Sequence, residues 1–222
     1  MENLKLIACD IDGVLLKDTF SPILHRLAKK YGIPYTADLE NNTFSQNRSE
    51  AASYVKNNLC LPKNISVQEL LKEYFEERTE FIKYDRSPIL SGVPEFLQLL
   101  KSLNVSLVCY GGLDEKMIDP IFKPYLKYFD CYICTNDFRP GLKEIVTKYH
   151  FDFSQVLFID DVNRVAEEAK KYGSPFIGVP AQHSWGFQEE EMKKTGVKYI
   201  VHSVKEITKN YLEKVDLDKS IW

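Results

Sequence analysis

Leu4-Lys5-Leu6-Ile7-Ala8-Cys9-Asp10-Ile11-Asp12-Gly13 is the stretch that decides how this chain reads. Residues 4–9 form a short apolar run, cut off by Asp10, Asp12 and Gly13. A run of that length stopped by a polar turn predicts a buried strand. Similar runs follow at 105–109, ending in Tyr110-Gly111-Gly112, at 131–134, at 156–159, ending in Asp160-Asp161, at 176–179 and at 199–201. Between them lie helical patterns. Gly92-Val93-Pro94 opens a helix over 95–103, and 114–128 reads as one helix that Pro120 or Pro124 can interrupt. Residues 141–149 form another. In 162–172, Val162, Val165, Ala166, Ala169 and Tyr172 share one side and Gly173 is the stop. Strands alternating with helices predict an α/β fold, a Rossmann-like, mostly parallel sheet with helices on both faces.

Residues 16–88 differ in character. Ser21-Pro22 starts a helix that Gly32 ends, and 48–59 reads as a second helix. Ser66-Val67-Gln68-Glu69 is a capping box. It opens a helix with Val67, Leu70, Leu71, Tyr74, Phe75, Phe81 and Ile82 on one stripe. The chain therefore divides into a core of 1–15 and 89–222 and an inserted helical domain of 16–88.

The 222 residues carry 29 Lys and Arg against 32 Asp and Glu, a formal net charge of −3, with 44% hydrophobic residues. That is soluble globular composition with enough chain for a sizeable core. No basic surplus points to nucleic acid, and no apolar run approaches the roughly 20 residues that span a bilayer, so neither is an expected partner. Met1-Glu2-Asn3-Leu4-Lys5 lacks the pattern of a secretory leader. Five cysteines, Cys9, Cys60, Cys109, Cys131 and Cys134, read as free thiols in a reducing compartment, the cytoplasm. Cys131 and Cys134 have CxxC spacing, but no second pair completes a zinc site, so they read as structural thiols. His25, His150, His183 and His202 show no ligand spacing, and His183-Ser184-Trp185-Gly186 reads as a packed or half-exposed loop near the site rim. Residues 188–194 read as a solvated helix face, and the chain after Lys209 is polar and expected to fray.

In an open parallel sheet, ligands bind at the carboxyl ends of the strands. Four such ends carry unusual residues: Asp10 and Asp12, 109–112, 136–139, and Asp160 with Asp161. Each acid alone could cap the turn that follows it. Two acidic pairs ending two apolar strands favour a hard divalent cation, because unneutralised buried carboxylates repel. Asp10, Asp12, Asp160 and Asp161 are the candidate ligands and Mg²⁺ the expected ion.

Asp10-Ile11-Asp12-Gly13-Val14-Leu15 after an N-terminal strand resembles the first motif of the haloacid dehalogenase superfamily of phosphohydrolases. Gly92-Val93-Pro94-Glu95-Phe96-Leu97 resembles the segment that re-enters its core, and Phe158-Ile159-Asp160-Asp161 through Gly173 its fourth, acidic motif. The resemblance covers nearly the whole chain and makes 16–88 a cap over the site. It implies that Asp10 is the nucleophile, attacking phosphorus to give an aspartyl-phosphate. It implies that Asp12 protonates the leaving oxygen and later activates water. Asp161 would be the principal acid of the fourth motif and Asp160 accessory, with Val165 where some members carry another acid and Asn163 a second polar candidate. Dehalogenating members lack the second acid of the first motif, so Asp12 argues for phosphoryl transfer.

Two departures bear on activity. The second motif normally ends its strand in Ser or Thr, which binds the transferring phosphoryl group; here Cys109 or Tyr110 takes that place, followed by Gly111 and Gly112, whose N–H groups can cradle phosphate. The third motif normally has Lys before Pro; here Arg139 precedes Pro140, and Lys143 follows one turn later. Asn47, Arg48 and Tyr54 are candidate cap residues facing the site. The expected function is a Mg²⁺-dependent phosphohydrolase of a small phosphorylated metabolite, with phosphomutase as its chemical variant. The alternative is a catalytically impaired phosphate- or metal-binding or regulatory protein.

Overall fold

The computed structural model describes residues 1–58, 61, 64–83 and 88–222. Cys60 and Leu59, the last residue of the helix expected over 48–59, lie outside the described residues. Five strands form one parallel sheet in the order β3-β2-β1-β4-β5: β1 Leu6–Asp10, β2 Ser106–Gly111, β3 Cys131–Cys134, β4 Val156–Asp160 and β5 Phe176–Gly178. All neighbours run parallel, as the interleaved helices require. Both faces are covered, which is why the strands read as continuous apolar runs. Ile7, Cys9, Leu107, Cys109, Leu157 and Ile159 pack on α5 (Val93–Lys101) and α9 (Lys209–Leu217). Leu6, Ala8, Val108, Tyr110, Val156 and Phe158 pack on α6 (Leu142–Tyr149) and α7 (Asn163–Tyr172).

Between β1 and α5 the described chain is helical: α1 Ser21–Lys30, α2 Ala37–Asn41, α3 Arg48–Asn58 and α4 Val67–Ile82. The Ser66 capping box forms as read. The chain leaves and returns side by side, with Leu16 bridged to Ile89. Thr36 caps α2, whose five residues are too few to show a period in the sequence.

Four expectations change. The helix read over 114–128 is two 3₁₀ stretches, Glu115–Met117 and Lys123–Tyr128. Pro120 and Pro124 lack the N–H an α-helix needs and crowd the preceding turn. The strand read over 199–201 reduces to one bridge, Ile200 to Gly178. The chain after Lys209 does not fray: Thr208 caps α9, and Leu212 and Val215 are buried. The face read as solvated over 188–194 belongs to α8 (Gln188–Thr195), which buries Gln188 and Met192.

Asp216, in the last turn of α9, accepts from the backbone N–H groups of Glu2, Asn3 and Leu4 at 2.6, 3.0 and 2.6 Å. It pins the start of the chain just ahead of β1. Asp216→Ala strands these donors, at a cost of about 1–3 kcal/mol. We expect thermal unfolding to start several degrees lower; an unchanged Tm would show that the N-terminal segment contributes nothing to β1.

Candidate active site

The carboxyl ends of β1, β2 and β4 open into one cavity beneath the inserted helices. Asp10, Asp12, Asp160 and Asp161 all line it, as do Arg139, Gly112 and Arg48. Asp10, Asp160 and Asp161 are buried.

Gly13 shows why the first motif turns where it does. Its φ is +92°, and a Cβ there would collide with the Asp161 carboxylate. The glycine thus both bends the chain and lets the acid of β4 approach the turn after β1.

Burial raises the Asp10 carboxyl well above the usual carboxylate range; Asp160 and Asp12 raise it further, against Arg139. Burial pushes Asp12 up to about 6, opposed by Arg78 and Arg139 and reinforced by Asp18. Burial pushes Asp160 up to about 6. Burial, then Asp160, Asp10 and Asp18, raise Asp161 well above its usual range. These carboxylates are mutually repelling and under-neutralised, and they present only oxygen donors. That chemistry fits a hard divalent cation, although among the described residues no three acidic, His or Cys side chains already close around a single point.

The sign of the pH dependence follows. Where folding raises a carboxyl pKa, its stabilising effect is full below the unfolded value of about 3.9 and is lost as pH rises through the folded value. For Asp12 and Asp160 the loss runs from about pH 4 to past pH 6. A cation that replaces those protons therefore stabilises most above that window. We expect saturating Mg²⁺ to raise Tm by several degrees at pH 8 and far less at pH 5. Equal shifts at both pH values would contradict ligation by these carboxylates.

Several sequence expectations are corrected here. Cys109 faces the core beside Cys9, is fully buried, and has its thiol pushed up by that burial, so it cannot bind substrate. Tyr110 is also fully buried, and its hydroxyl donates to Asp160 Oδ2 at 2.5 Å. It pairs in register with Asp10, so its side chain reaches past β1 to β4. It braces Asp160. Asp160 accepts on its other oxygen from the Val162 N–H at 2.8 Å. Gly111 does not line the cavity; its carbonyl takes the Thr135 N–H and hydroxyl. Lys143 is exposed on α6, outside the cavity, because its position on the helix turns it to solvent. Asn163 is buried at the start of α7 and bonded to Gln188 and Glu167.

Gly112 and Arg139 remain on the cavity wall. A Cβ at Gly112 would overlap the Arg139 guanidinium. The larger cation before Pro140 thus occupies space that a side chain on residue 112 would fill. Arg139 Nε is buried with no hydrogen-bond partner. Leaving such a donor unpaired is costly.

Of the expected cap residues, Asn47 donates to the Asn136 carbonyl at 3.1 Å, and Arg48 donates to the Gly112 carbonyl while lying 5.3 Å over the Phe75 ring. Tyr54 hydrogen-bonds Asp38 and does not line the cavity. Two residues were missed. Arg78 of α4 stands 3.7 Å from Asp12 and donates to Thr19 at 2.8 Å. Asp18 lines the cavity, where burial would raise its carboxyl, but His183, Ser21 and the Phe20 N–H hold it below its usual range. His183 Nε2 is 3.3 Å from Asp18, and the Trp185 ring stacks between His25 and His183 at 4.3 and 4.4 Å, tying the loop to α1. Nothing local in the sequence marks either residue; both reach the site only through folding of the insertion.

The haloacid dehalogenase-like hydrolase family matches residues 4–173, most of the chain and all the strand ends just described except that of β5. The chain belongs to that family. Among solved structures, a β-phosphoglucomutase from Clostridium difficile superposes with a TM-score of 0.70 at 16% identity, over 96% of this chain and 97% of that one. A haloacid dehalogenase-like hydrolase from Streptococcus pneumoniae gives 0.64 at 16%, over 93% and 98%. A predicted phosphoglycolate phosphatase from Haemophilus somnus 129PT gives 0.64 at 17%, over 93% and 97%. At these identities the likeness carries the fold, including the inserted helices. None of the curated proteins compared with the chain matches it. Among the described residues no helix is long and apolar enough to cross a membrane.

Proposed function

We propose that this haloacid dehalogenase-like hydrolase is a Mg²⁺-dependent phosphatase of a small phosphorylated metabolite, with 1–15 and 89–222 as its core and 16–88 as its cap. The observation that carries the proposal is that Asp10, Asp12 and Arg139 line one cavity, with the Arg139 guanidinium close enough to oppose the rise of both carboxyls. A carboxylate cluster alone would repel a phosphate. A guanidinium lining the same cavity supplies what a phosphoryl group needs.

Asp10 attacks phosphorus, forming the aspartyl-phosphate as the ester P–O bond breaks. Asp12 gives its proton to the departing oxygen, then takes one from the water that hydrolyses the aspartyl-phosphate. Arg139 binds the phosphoryl oxygens, and the Gly112 backbone lies beside it. Arg78 holds Asp12 in place from the cap. Asp10 and Asp161, with the Asp12 and Asp160 carboxyls nearby, would hold Mg²⁺. Bound there, the ion neutralises the charge of phosphate and carboxylates together. Asp160, with both oxygens occupied, is the weakest ligand of the four and chiefly adds charge. Two of the structural neighbours, a predicted phosphoglycolate phosphatase and a β-phosphoglucomutase, agree with phosphoryl transfer. The free thiols Cys9, Cys109, Cys131 and Cys134 suit the cytoplasm.

The second reading, a binder without turnover, is favoured by one observation: no Ser or Thr hydroxyl ends β2, where losing one donor costs on the order of 100-fold. Steady-state hydrolysis of p-nitrophenyl phosphate with and without Mg²⁺ separates the readings. We expect turnover that needs Mg²⁺. Thermal stabilisation by Mg²⁺ and inorganic phosphate without turnover on any phosphate monoester would establish the binder instead.

A further inference from the structure

The cavity does not end at the acids. It runs from Asp10 and Arg139 upward between α1, α2, α3 and α4, enclosing about 170 Å³. Its upper walls are Leu24, Ile33, Leu39, Val55, Leu70 and Leu71. Tyr74 donates its hydroxyl to the Phe20 carbonyl at 2.9 Å, Tyr31 to Glu73 at 2.5 Å, and the Thr43 hydroxyl donates to the Leu39 carbonyl at 2.6 Å. Ser21, Ser45 and Gln46 line the same cavity. A polyhydroxylated body placed against the leucine-lined part would turn hydroxyls onto apolar side chains, at about 1–3 kcal/mol for each left without a partner. An apolar body loses nothing and gains burial. An apolar cavity of roughly 150 Å³ admits benzene; the 170 Å³ here includes the acidic end, so the space left suits at most one ring or a chain of about six carbons.

We propose that the cap selects phosphate monoesters of compact apolar alcohols, alkyl or aryl, over sugar phosphates. The proposal rests on the phosphatase reading for its chemistry, but the cavity can be tested without turnover. The phosphate end lies against Arg139 and the acids. The carbon end passes Arg48, whose guanidinium is held on the Gly112 carbonyl and over Phe75, and enters the leucine-lined space.

The experiment is calorimetric titration of the Mg²⁺-loaded protein with n-alkyl phosphonates from ethyl to octyl, beside a phosphonate analogue of a hexose phosphate. Hydrolysis of the matching alkyl phosphates is followed in parallel. We expect Kd to fall about fourfold per methylene, the equivalent of roughly 0.8 kcal/mol per buried CH₂, and to level off near hexyl. The hexose analogue should bind no better than ethyl phosphonate. Val55→Phe and, independently, Leu24→Phe should move the plateau to a shorter chain. A Kd independent of chain length, or tightest binding to the hexose analogue, overturns the proposal. If affinity rises with chain length but no alkyl phosphate is hydrolysed, the phosphatase reading fails and the apolar selectivity stands. If phosphate esters are hydrolysed without any dependence on chain length, the reverse holds.

Discussion

Asp10→Asn is expected to lower kcat for p-nitrophenyl phosphate by about 10⁴-fold or more, the scale of losing a nucleophile. An amide cannot form the acyl-phosphate, and no neighbouring group is placed to substitute. Asp160 is held by Tyr110 and by the Val162 N–H. Asp161 lies over Gly13. Misfolding will not mimic the effect. Asp10 is raised well above the normal carboxylate range by burial and its acidic neighbours, so removing its charge relieves repulsion. The metal-free variant should therefore be at least as stable as the parent, as circular dichroism melts at pH 8 will show. Retention of more than a few per cent of kcat would remove Asp10 from the chemistry.

Asp12→Asn is expected to cost about 10²–10⁴-fold in kcat, and the loss should depend on the leaving group. Asp12 sits at about 6, where it can release a proton to an oxygen and then recover one from water. An alkoxide leaves only with that proton, so alkyl phosphates should feel the full loss. p-Nitrophenolate departs without help, so its formation in a pre-steady-state burst should suffer much less than the steady state. Arg78, 3.7 Å away, holds the carboxylate and should orient the Asn in its stead. Equal losses for both leaving groups, in burst and steady state, would mean that Asp12 only positions the ion or the chain.

Much of this arrangement was legible in the sequence because it depends on local chemistry. Apolar runs that stop at acids mark strand ends, and strand ends in a parallel sheet are sites. Asp10, Asp12, Asp160 and Asp161 were found in that way, and Arg139 from its place before Pro140. What sequence did not show depends on which way a side chain points. Tyr110 lies one residue from a plausible phosphate contact, but pairing with Asp10 in the sheet turns its hydroxyl onto Asp160. Lys143 has suitable chemistry one helical turn from Arg139 and faces solvent. Gly112 read as a cradle for phosphate; that it also makes room for Arg139 is visible only when both are placed. The C-terminal helix escaped because Leu212 and Val215 are two apolar residues in a polar stretch, and burial against the sheet decides their fate. Arg78 and Asp18 belong to the insertion, whose amphipathic helices announce that they pack but not on what.

The claim on which the rest depends is that phosphate passes through Asp10. The most direct measurement is acid quenching of the Mg²⁺-loaded protein during turnover of p-nitrophenyl phosphate, followed by peptide mass spectrometry. The account predicts a peptide spanning Asp10 that carries one phosphoryl group, sensitive to hydroxylamine, absent without Mg²⁺ and absent in Asp10→Asn. Steady release of phosphate with no phosphoryl group on that peptide, at quench times shorter than one turnover, would contradict it.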